Sequence, residues 1–248
     1  MDFSEQLWKA LRGWWNEQAQ SQGARRATSL LLEEVWGFVR ESTPEQRRQR
    51  YGDMDYDWEH RVNTTSGGVG WRTRLLGVFH SAYQPTDPAA FHQMMAALPI
   101  DFSEFTFIDI GSGKGRTLLM ASEYPFQKIV GVELMGELHR AAEENVGAYE
   151  SRPDRAGAHQ TVIETMCMDA REFVFPDTPL VVYLFNPLPE VAFRRVMQNL
   201  EQSWKRAPRP VWVVYHNPVL DNVLTSSDFL EKTVGTHQYR IYRTALSS

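Results

Sequence analysis

The stretch FIDIGSGKGRTLLMAS, residues 107–122, decides how the chain is read. An apolar run closes on an acid, Asp109. Three alternating glycines and a lysine follow, and the sequence then turns helix-forming. Glycines at a strand-to-helix junction let the backbone approach a ligand closely, and the helix N-terminal amides can meet it. Glycine spacing separates the turns of this kind. A phosphate-binding P-loop needs Gly-x-x-x-x-Gly-Lys-Ser/Thr. Lys114 does follow Gly113, but Gly115 stands where Ser or Thr is required, and the spacing to an earlier glycine fails. A dinucleotide turn needs Gly-x-Gly-x-x-Gly. Gly111 and Gly113 fit, but the third position holds Arg116, and the third glycine comes one residue early at Gly115.

Outward from the turn, strands and helices alternate. Strands are expected at 105–110, 128–134, 161–168, 180–186 and 210–216, and helices at 114–123, 136–150 and 189–204. The apolar run at 180–186 suits the middle of a sheet. Two extended pieces near 229–234 and 238–244 predict a closing hairpin with an antiparallel edge strand. Upstream, Thr86 or Asp87 caps a helix that has Pro88 in its first turn and runs to about Leu98. The fold class is therefore α/β: a doubly wound, mostly parallel seven-stranded sheet with an antiparallel terminal strand.

The first 50 residues read as helical. Leu7, Trp8, Leu11, Trp14 and Trp15 form one apolar stripe, a second helix is expected from about Ser29 to Arg40, and Ser42 or Thr43 before Pro44 starts a third. NTTSGGVG, residues 63–70, is a flexible loop. This divides the chain into a helical extension, 1–62, and a sheet domain, 63–248. The tryptophan-rich helices are expected to pack on the sheet domain or to form a cap over it.

Composition sets further bounds. The 248 residues carry a formal net charge of -5 and include one cysteine, Cys167. The sequence pI is about 5.8. This balance disfavours a nucleic-acid surface, since the basic pairs Arg25-Arg26, Arg47-Arg48 and Arg194-Arg195 suit solvated helix faces. One cysteine and scattered histidines give no metal-ligand spacing, so no metal is expected. The N-terminus lacks the layout of a secretory signal, and no apolar run approaches the roughly 20 residues of a membrane span. The expected location is cytoplasmic, with no membrane partner.

The remaining pattern, acid-x-Gly-x-Gly-x-Gly, resembles motif I of the class I S-adenosylmethionine-dependent methyltransferases. The resemblance implies S-adenosylmethionine as cofactor and S-adenosylhomocysteine as product. Asp109, at the carboxyl end of its strand, would then accept from the amino-acid end of the cofactor, with Gly111, Ser112, Gly113 and Gly115 forming the turn around it. Glu133, ending the next strand beside Leu134, would take the ribose hydroxyls. Asp169, ending the third, would accept from the adenine amino group, with the backbone N–H of Ala170 reaching the ring. LFNPLPE resembles motif IV, which faces the transferred methyl. Asn186 and Pro187 match it. Leu188 and Pro189 do not, which removes the aromatic that stacks a flipped base. YQPT, residues 83–86, resembles a segment that helps cover the cofactor in some bacterial and lysine-directed members, implicating Tyr83 and Thr86. Asn186 and Tyr83 are the candidates nearest the methyl. His216 is a weaker candidate for a general base.

The expected activity is methyl transfer to an amine, either a protein lysine or a small molecule, with nucleic acid disfavoured as acceptor. Two alternatives remain: a nicotinamide-dependent oxidoreductase, against which Arg116 speaks, and a scaffold that binds the cofactor without transfer. Lys114 is expected to face solvent.

Overall fold

A computed structural model describes residues 54–65, 85–153, 161–185 and 188–245, with scattered positions between 12 and 29. The chain forms two units, one of residues 1–55 and 65–84, the other of 56–64 and 85–248. In the first, the described positions from Arg12 to Ser29 are helical apart from Gly23. Trp15 of the expected apolar stripe is among them. Leu7, Trp8, Leu11 and Trp14, nearly all of the second expected helix and the start of the third lie outside the described residues.

The second unit carries the alternating pattern. Its strands are β1 (Thr106–Ile110), β2 (Lys128–Glu133), β3 (Val162–Cys167), β4 (Leu180–Phe185), β5 (Val211–His216), β6 (Leu230–Gly235) and β7 (Tyr239–Thr244). The helices are α1 (Met54–His60, entered from the other unit), α2 (Pro88–Ala96), α3 (Arg116–Ala121), α4 (Gly136–Glu150), α5 (Glu190–Arg206) and α6 (Asp221–Thr225). Short 3₁₀ turns occupy Phe102–Glu104 and Ala170–Glu172. Asp87 caps α2, its Oδ1 accepting from the Ala90 amide at 2.9 Å.

The seven strands lie in one sheet in the order β3-β2-β1-β4-β5-β7-β6. β1 to β5 are parallel, and β7 runs antiparallel to both β5 and β6. The hairpin is as expected, but its antiparallel strand is one place in from the edge. β6 takes the edge and blunts it with exposed Glu231 and Lys232 and with a register shift between Lys232 and Val234.

Side chains alternate across the sheet. On one face Ile108, Ile110, Val182, Leu184 and Val213 pack against Phe193, Val196 and Leu200 of α5. The helical spacing of those three residues makes one apolar stripe. On the other face Phe107, Val181, Tyr183 and Val214 pack against Phe91, Met94 and Met95 of α2 and Leu118 and Met120 of α3. β1 is flanked by β2 on one side and β4 on the other, so the chain reverses its winding there. That is where open α/β sheets bind ligands, outside the carboxyl ends of the strands.

Candidate functional site

Gly111, Gly113 and Gly115 all have positive φ, at 82°, 55° and 82°. A side chain is strained in that region, so the turn requires glycine at these positions. The turn is tied to β2 from beneath: the amides of Gly111 and Ser112 donate to the Val132 carbonyl at 2.8 and 3.1 Å. Ser112 is buried and its Oγ makes no hydrogen bond. It packs against Gly131, where an added Cβ would come 2.8 Å from that oxygen.

Asp109 sits one residue from the end of β1, and only 2% of it is exposed. It accepts from the Thr117 hydroxyl. Among the described residues no cation pairs with it. Burial pushes its carboxyl up to about 7; the Thr117 hydroxyl opposes this and the Glu133 charge adds to it.

Glu133, ending β2, is also buried. One oxygen accepts from the Gly113 amide at 2.9 Å and the other from the Met135 amide at 2.7 Å. Burial raises its carboxyl, and these amides hold the shift back. The Leu134 amide is a third backbone donor to it, and a carboxylate with about four acceptor positions still has room for a further donor. Leu134, next in sequence, is an exposed apolar surface beside this acid.

Asp169 follows β3 and caps the turn at Ala170–Glu172 through the Arg171 amide at 2.9 Å. The Arg171 guanidinium also grips it, at 2.5 Å to Oδ2. The acid is more open than the other two, with its side chain 21% exposed, whereas Ala170 is buried. Three carboxylates thus stand at the ends of β1, β2 and β3, which are neighbours in the sheet.

Thr86 is buried, and its hydroxyl lies 2.9 Å from the Tyr183 hydroxyl. The Tyr183 hydroxyl in turn lies 2.9 Å from Nδ1 of His216. Tyr183, in the middle of β4, was not singled out in the sequence. Its signal there was a polar aromatic in an otherwise apolar central strand, where a hydroxyl must find partners. Asn186 and Tyr83 lie outside the described residues.

One residue departs from expectation, and a second is buried beside it. Lys114 does not face solvent: it is 3% exposed. Its Nζ lies 3.4 Å from Asn63 Oδ1, and burial lowers its pKa. Arg116 is buried too. Its Nε donates to Thr64 Oγ1 at 2.6 Å, it pairs with Asp57 at 3.2 Å, and its guanidinium lies over the Tyr56 ring. Asn145 of α4 donates to the carbonyls of Asn63 and Lys114 at 3.1 and 3.0 Å. Segment 56–64 is thereby fastened to the outside of the glycine turn.

The donor set fits S-adenosylmethionine. A buried carboxylate without a cation suits its α-ammonium, a carboxylate with spare lone pairs suits a ribose diol, and an exposed leucine suits the flat face of adenine. The turn lacks the glycine spacing, and the Ser or Thr after Lys114, that a phosphate-binding P-loop requires.

The family model described as Histone methylation protein DOT1 matches residues 79–179. No curated protein sequence matches the chain. Among solved structures, an RNA methyltransferase from Salinibacter ruber in complex with S-adenosyl-L-homocysteine is 21% identical, with a TM-score of 0.43, over 64% of this chain and 92% of that one. A SAM-dependent O-methyltransferase from Thermotoga maritima is 15% identical, with a TM-score of 0.46, over 67% and 68%. No helix among the described residues is long and apolar enough to cross a membrane. The match over residues 79–179, the strand order and the glycine turn with its acids are together what the resemblance to the class I S-adenosylmethionine-dependent methyltransferases implies.

Proposed function

We propose that the chain methylates an amine, a protein lysine first and a small-molecule amine second. The observation that carries this reading is the match of residues 79–179 to a family model described by histone methylation. Two sequence features support it: the Asn186-Pro187 turn after β4 and the YQPT segment ahead of α2.

When bound, S-adenosylmethionine supplies a methyl group on a sulfonium, already activated for in-line displacement. The protein's task is then positioning and exclusion of water. Asp109 would hold the amino-acid end, Glu133 the ribose and Asp169 the adenine, with the backbone of Ala170 reaching the ring. By the resemblance of their segments, Asn186 and Tyr83 are assigned to the methyl, where the Asn186 side-chain oxygen and a backbone carbonyl would orient the lone pair of a neutral amine. The formal net charge of -5 favours approach of a basic acceptor.

Transfer of tritiated methyl from S-adenosylmethionine tests the reading, with core histones, polylysine, a small primary amine, RNA and DNA as separate acceptors. Label recovered as methyl-lysine from histones or polylysine, or as a methylated small amine, is the expected result. Label found only in nucleic acid or on hydroxyl groups would overturn it. Asn186→Ala is expected to keep S-adenosylhomocysteine binding and lose turnover. Unchanged turnover would remove Asn186 from the site.

A further inference from the structure

β4 and β5 run parallel, and their register sets Phe185 opposite His216 at the carboxyl ends. The two rings stack, with centroids 4.1 Å apart and planes 21° from parallel. The chain turns sharply after His216, since Asn217 has a φ of 49° and its amide donates to the Gln238 carbonyl at 2.7 Å. His216 is therefore fixed on its stacking face by Phe185 and at Nδ1 by the Tyr183 hydroxyl, 2.9 Å away. Thr86 anchors that hydroxyl from the other side, also at 2.9 Å. The network joins Thr86, ahead of α2, to β4 and β5. The ring's other nitrogen, Nε2, makes no hydrogen bond to a described residue, and the residue as a whole is only part-buried.

We propose that His216 lies against the methyl acceptor and accepts a hydrogen bond from its attacking nitrogen at Nε2, while Tyr183 and Thr86 act as positioning residues for the ring. The proposal rests on the amine reading above. It requires the ring proton on Nδ1, donated to the Tyr183 hydroxyl, which then donates to Thr86 Oγ1. That order leaves the Nε2 lone pair available. An N–H held there turns the nitrogen's own lone pair toward the methyl. As the N–C bond forms, the S–C bond breaks and its electron pair stays on sulfur. The product ammonium then loses its extra proton to water. Burial keeps the imidazole uncharged at neutral pH by lowering its pKa to about 4, partly offset by Asp87. An uncharged ring does not repel a sulfonium, whereas an imidazolium would.

Two measurements on the full chain test this. In the first, ¹⁵N NMR of the histidine rings at neutral pH reports the tautomer. A His216 ring protonated at Nδ1, shifting to the Nε2 form in Tyr183→Phe, is expected. An Nε2-protonated ring in the unaltered protein would overturn the proposal. In the second, His216→Ala, His216→Gln and Tyr183→Phe are compared for calorimetric S-adenosylhomocysteine affinity and for methyl transfer to polylysine. His216→Ala is expected to lower kcat by at least about tenfold, with cofactor affinity within about twofold and partial recovery in His216→Gln. Unchanged kcat, or loss of cofactor affinity in step with kcat, would overturn it. If the unaltered protein leaves polylysine and small amines unmethylated, the amine reading fails, and the proposal with it. An Nδ1 tautomer would then stand as a feature of the fold only.

Discussion

Asp109 is a buried carboxyl with no cation beside it among the described residues. Its carboxyl is raised to about 7, chiefly by burial, from an ordinary 3.8. A folded-state pKa above the unfolded one means that the stability Asp109 contributes is complete below the unfolded value. It is lost as pH climbs through the folded value of about 7. A cationic amine placed beside the carboxylate reverses this preference. Calorimetry should therefore show S-adenosylhomocysteine binding tighter as pH rises from about 5.5 to about 7, with Asp109→Asn flattening that slope. A slope unchanged in the variant would mean that Asp109 does not meet the cofactor. The positions of Asp109, Glu133 and Asp169 were legible in the sequence because each stands at or within two residues of a strand end, and strand ends are marked by where apolar runs stop. Tyr183 and Lys114 were not. Tyr183 is defined by partners on two other segments, and Lys114 is buried by residue 63, far away in sequence. Spacing along one segment carries no trace of either.

At the scale of elements, two devices hold the glycine turn. The first is the close approach of β2 to α3 at Gly131, where an added Cβ would lie 2.6 Å from Leu118 Cδ1. Gly131→Ala is expected to lower the free energy of unfolding by about 1–3 kcal/mol, read by denaturant titration. The second is the pair of Arg116 with Asp57, whose side chains are 1% and 11% exposed. Arg116→Gly would restore a dinucleotide-type third glycine, yet it removes the cation facing Asp57 in a buried setting. It is expected to cost roughly 3 kcal/mol, and Arg116→Met with Asp57→Leu should recover much of that. Equal stability of Arg116→Gly and the unaltered protein would show that segment 56–64 does not fasten the turn. The long elements fell within a residue or two of their expected limits because Gly, Pro and Asp mark their ends. Asp221–Thr225 was missed, since five residues are too short to show a helical period. The docking of 56–64 was missed because it depends on contacts more than fifty residues apart.

For the whole molecule, strand number and β-α alternation were legible in the sequence, as was the hairpin that ends the chain. The order β3-β2-β1-β4-β5-β7-β6 was not, because no local pattern says which edge a hairpin joins. That order sets β1 at the point where the winding reverses and brings its glycine turn beside Glu133 and the end of β4. This arrangement suits a cofactor with an amine, a ribose and an adenine but no phosphate. Calorimetric titration of the purified full chain with S-adenosylmethionine, S-adenosylhomocysteine and NADH tests it most directly. One-to-one binding of the first two, abolished in Gly113→Arg, and none of NADH is expected. Binding of NADH, or of neither sulfur compound, would contradict it.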